Sequence, residues 1–98
     1  MTVRGGNNPL GNEEYMEEKE QRLVTIKALR FMYEQVKYAR KARDWEWCKT
    51  PEAFRDYKKT CQAWVCCTCM FSQQLLNKKY ATIVYKFSNK FREQIEEL

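Results

Sequence analysis

Cys61, Cys66, Cys67 and Cys69 fall within nine residues, with Cys48 further upstream. Thiolates so close together invite metal binding or disulfide chemistry. A structural zinc site needs paired C-x₂₋₄-C knuckles on segments that converge. Here Cys66 and Cys69 share one side of a helix, Cys67 points about 100° away, and no second pair stands on another segment. Five thiols, four of them on one helix, also make a poor disulfide framework, because neighbours on a continuous helix do not reach the bonding geometry. The cysteines read as small apolar fillers and as the mark of a reducing compartment, cytoplasmic or nuclear. Reversible acylation of the segment from Trp64 to Phe71 is an alternative.

Catalysis is poorly provided for. The chain has no histidine, so no ordinary general base is poised near neutral pH and no imidazole is at hand to activate a thiol. It has no Gly-rich phosphate loop. Its acids gather near predicted helix ends, where compensation of the helix dipole already accounts for them. The expectation is a non-enzymatic protein without metal or cofactor.

The residues that do suggest a chemistry are basic. Lys27, Arg30, Lys37 and Lys41 recur at helical spacing on one side of the first long helix and span about 21 Å at 1.5 Å per residue. Cations held at intervals on a rigid helix suit a row of phosphates. Arg55, Lys58 and Lys59 are expected to extend the surface from the second helix. Glu34 interrupts the row, and a solvated face with local Arg30–Glu34 and Glu34–Lys37 pairs is the bland reading of the same residues. Charge along the chain agrees with the first view: residues 22–92 carry sixteen Lys or Arg against five acids, between two acidic ends. Such a field draws polyanions or anionic lipid heads.

The elements that hold these residues are read as helices. Only three Gly and two Pro occur, and all but Pro51 precede residue 12, which argues against a fold with many turns. Residues 1–12 read as a flexible N-terminal tail and 13–98 as a single helical domain. The first helix is expected from about 13 to 46, capped by Asn12, and about 50 Å long. Its apolar sector, which includes Ile26, Leu29, Met32, Tyr33, Val36 and Ala39, is wider than one neighbour covers. That width predicts contact with two helices or a dimer seam, and the dimer is favoured.

Thr50-Pro51 is a helix start, a hydroxyl cap followed by Pro in the first turn. Phe54, Tyr57, Cys61, Trp64 and Phe71 then follow a 3–4 spacing along one face. After Asn77 the spacing of Tyr80, Val84, Phe87, Phe91 and Ile95 is again helical, although Tyr80–Phe87 is rich enough in β-branched and aromatic residues to pass for a strand. Trp45 and Trp47, beside Arg43 and Lys49, read as closing the end of a helical hairpin, or as bases' stacking partners if exposed. The longest apolar run, Ala63–Phe71, is too short to span a bilayer, and no signal peptide is seen, so the protein is expected to be soluble.

The fold expected is all-α, a long helical hairpin of two or three helices in a dimeric bundle, with Leu29, Met32, Val36, Phe54, Tyr57, Cys61, Trp64 and Phe71 in its core or dimer seam. The function expected is binding of duplex RNA or DNA by charge and shape, since helix-turn-helix glycine turns, zinc knuckles and RNA-binding aromatic strands are all absent. A protein adaptor docking through the aromatic and Cys-rich helix is the alternative, and association with a membrane surface the third.

Overall fold

The computed structural model describes residues 17–98, and they form three helices: α1 (Glu18–Ala42), α2 (Pro51–Leu75) and α3 (Lys78–Glu96), with a single 3-10 turn at Glu46–Cys48 between the first two. The expected all-α architecture holds, with residues 51–98 divided into two helices.

Each start has a local cause. The Thr50 hydroxyl accepts from the Ala53 N–H at 3.2 Å, with Pro51 behind it in the first turn. Asn77 caps α3 in the same way, its side-chain oxygen accepting from the Tyr80 N–H at 3.2 Å. The β-branched run within α3 stays helical because its buried face repeats at helical spacing, through Tyr80, Ala81, Val84, Ser88 and Ile95. The first helix differs from expectation. Its start near residue 13 and the Asn12 cap lie outside the described residues, as does the tail of residues 1–12. The helix that is described opens at Glu18, with Glu17 in extended backbone and a reciprocal capping box to Glu20. It ends at Ala42 rather than 46, after 25 residues, hence about 37 Å.

All three helices pack on one another. Lys79 reaches Glu18 at one end of the rod and Arg43 donates to the Leu98 carbonyl at the other, so α1 and α3 run in parallel and α2 runs against both. Met32, Val36, Cys61, Val65, Val84 and Ile95 are fully enclosed at the shared axis. The wide sector of α1 thus meets two helices of its own chain.

That sector is also rotated from where its large side chains placed it. The buried stripe of α1 is Gln21, Thr25, Ala28, Met32, Gln35, Val36, Ala39 and Ala42, whereas Ile26 and Tyr33 are exposed and Leu29 is half-buried. The stripe tolerates polar members because each finds a partner. The Gln21 side-chain oxygen accepts from the Asn77 N–H (2.9 Å), Thr25 donates to the Gln21 carbonyl (2.7 Å), and Gln35 donates to the Phe31 carbonyl (3.3 Å). The alanines between them let α2 and α3 approach closely.

Candidate nucleic-acid interface

The direction opposite the buried stripe of α1 falls, at 100° per residue, on Arg30. Lys19, Lys37 and Lys41 lie within about 20° of it, and Lys27 about 60° round toward α2. All five are exposed. Arg30, Lys37 and Lys41 of the expected row thus share the outer face of the rod with Lys19, over about 33 Å, whereas Lys27 lies off it and lines the groove beside α2. Lys19 is not among the cations expected from the sequence to meet phosphate, although it stands between Glu18 and Glu20 on the polar side of the helix. The helical wheel turns those acids to other sides.

No ion pair joins the row to an acid among the described residues, although Glu34 stands about 40° from Arg30 on the same side of the helix. Among the described residues the ion pairs are Lys49–Glu46 at 3.7 Å and Lys79–Glu18 at 3.5 Å. The local pairs of Glu34 with Arg30 and Lys37 do not form. Glu34 is half-buried, and the Lys37 ammonium stands 5.8 Å from the centre of the Tyr33 ring. Such a contact holds a cation loosely at an exposed site, which leaves its charge available to a phosphate.

The residues expected to extend the surface from α2 lie on another side of the rod. Lys58 donates to the Glu96 carbonyl at 3.2 Å and stands 5.4 Å from the Phe54 ring centre. Arg55 and Lys59 line the same hollow, together with Glu96. These three residues belong to the seam between α2 and α3, away from the outer face of α1, so the structure does not join them to the row. Other cations stand beside α1 on its α3 flank. Arg22 and Arg40 lie on the flank of α1 that turns toward α3, and the exposed side of α3 carries Lys79, Lys86 and Lys90 with no acid before Glu93. The sequence signal for this is that residues 60–92 contain no Asp or Glu. The lysines there were not placed on a face because the position of α3 was unknown.

The aromatic residues take two kinds of place. Trp45 stacks on Trp47 (5.6 Å, 28°), and both meet Tyr57 edge-on (5.4 and 5.6 Å) at the α1–α2 turn, with Trp47 65% exposed. Of the expected core or seam, Met32, Val36 and Cys61 are buried, and Leu29, Phe54 and Tyr57 are half-buried. Trp64 and Phe71 are 54% and 64% exposed, so within the single chain they are not core. Phe31 meets the Trp64 ring edge-on at 6.2 Å.

The cysteines do not converge on a site. Cys48, Cys61 and Cys69 are buried, Cys66 is half-buried and Cys67 is exposed, all as free thiols. Burial pushes the Cys61 thiol above its ordinary pKa, opposed by its hydrogen bond with Tyr57, which is the environment of an inert packing thiol. No group of three potential ligands that could hold a metal ion is found among the described residues, and none of their helices is long and apolar enough to cross a membrane. Compared with protein-family models, curated proteins and solved structures, the chain matches none.

Proposed function

We propose that this chain is a non-enzymatic binder of duplex nucleic acid that grips the phosphate backbone with the outer face of α1, seconded by the exposed lysines of α3. The observation that carries the reading is the α1 row itself. Lys19, Arg30, Lys37 and Lys41 share one exposed face, and none of them makes an ion pair among the described residues. Two parallel helices about 8–10 Å apart hold two lines of cations along a straight rod, a form that follows a duplex by charge and shape and reads no base edges. Affinity then comes chiefly from released counterions and falls steeply with salt.

The test is a salt-dependent duplex-binding titration of the Arg30→Glu/Lys37→Glu/Lys41→Glu variant beside the Arg55→Glu/Lys59→Glu variant. Reversal on α1 weakens binding and lowers the slope of log affinity against log salt by about 2 to 3, near 0.9 for each phosphate that is no longer neutralised. Reversal at the α2–α3 seam costs much less, because those residues face elsewhere. Equal losses in the two variants would reduce the effect to net charge, and unchanged affinity in the α1 variant would remove the reading. A protein-docking role finds its support on a different surface, the open flank of α1 and α2.

A further inference from the structure

The α1–α2 pair has two long flanks. One is filled by α3. The other is an open groove of about 600 Å³, with Ala28 and Ser72 in its floor and Phe31, Trp64, Phe71 and Leu75 on its rims. Lys27, on the side toward the basic row, is the one charged residue among the described residues that line it. The hydroxyls of Thr68 and Ser72, which line the groove, donate to backbone carbonyls of α2. The rim residues are 39%, 54%, 64% and 36% exposed, in that order.

The geometry points to a second copy of this chain as the occupant, seated groove to groove about a two-fold axis. A two-fold contact must be self-complementary, each copy offering both the projection and the recess. This surface does so: Phe71 and Trp64 project, and beside them the small side chains of the floor leave the recess. At their exposures the four rim residues present on the order of 400 Å² of apolar surface, as much as the largest patch on an ordinary monomer. Two such faces with their margins bury roughly 1,000 Å², the least that a specific interface needs. The groove also lacks an acid, so it offers no charge preference for a basic partner, and Lys27 sits at its edge, where two like charges can remain solvated.

An axis running across the helices sets α1 antiparallel beside its copy and brings both basic rows to one side of the dimer. The inference rests on the groove alone and does not need the nucleic-acid reading. Its test therefore uses no nucleic acid.

Sedimentation equilibrium of the full chain under reducing conditions, from micromolar to submillimolar, is expected to give a monomer–dimer equilibrium. Phe71→Glu and Trp64→Glu, both at exposed positions, are expected to weaken it by about tenfold or more with the helical circular dichroism retained. Alkylation of Cys67, exposed in the same groove, slows as the dimer forms. A chain that stays monomeric throughout overturns the proposal and leaves the groove to a foreign helix or to residues 1–16. A dimer that both variants leave intact overturns it as well, because the contact then lies elsewhere.

Discussion

The phenol of Tyr80, at the start of α3, donates its hydrogen to the carboxylate of Glu18, at the start of α1. This bond joins two parallel helices at one end of the rod. It lowers the Glu18 pKa below its usual 4.5 and raises that of Tyr80 above 10, the hydrogen bond being the largest cause in both cases. A depressed carboxylate stabilises the fold above its ordinary pKa and loses that stabilisation as pH falls through the lowered value. Thermal unfolding midpoints should therefore drop on acidification in the wild type, with part of the drop missing in Glu18→Gln and in Tyr80→Phe. Parallel curves for all three would show that the bond contributes nothing.

A second titration concerns Tyr57, whose phenol is pushed up to about 12, first by burial and then by the nearby Cys61 thiol. The sign is opposite to that of Glu18. The stabilisation is complete below pH 10 and is lost as pH rises from there toward 12, because the unfolded chain ionises first. Ultraviolet titration of the tyrosinates should show a late step that Tyr57→Phe lacks.

If α3 continues the basic face, Lys86→Glu/Lys90→Glu should weaken duplex binding by less than the α1 triple variant but by more than Arg55→Glu/Lys59→Glu. The order of the three losses, measured at one salt concentration, checks the placement of the face. A seam variant that lost more than the α3 variant would put the contact on the other side of the rod.

Met32 is fully buried where the three helices meet. Met32→Ala should cost about 2–5 kcal/mol of stability, the range for emptying such a site, as read from urea unfolding. Ile26→Ala, on the exposed side of the same helix, should cost far less, although both residues appear in the apolar sector read from the sequence.

That pair of residues shows where the sequence was legible and where it was not. Helix identity, the start at Thr50-Pro51, and the outward direction of Arg30, Lys37 and Lys41 could be read from periodicity and caps, because each depends on the chain's own backbone, whereas the break at Asn77 that divides residues 51–98 into two helices was left open. The true buried stripe of α1 could not. Gln21, Thr25 and Gln35 look like surface residues until a carbonyl or a junction N–H is seen to satisfy them, whereas Ile26 and Tyr33 look like core. The start of α1 was obscured because Glu17 is not among the favoured caps. The groove was hidden for a related reason. Trp64 and Phe71 have core spacing, and only the position of α3 decides which flank of the hairpin stays open.

The bond from the Asn77 N–H to the Gln21 side chain spans 56 positions, and it bears on the order of assembly. The corner between α2 and α3 obtains this acceptor only from α1, so those two helices alone would leave a half-buried donor to water. A ribosome delivers α1 first. By the time the corner emerges, its distant acceptor has already been made, and the last helix can dock on a pair that is ready to receive it.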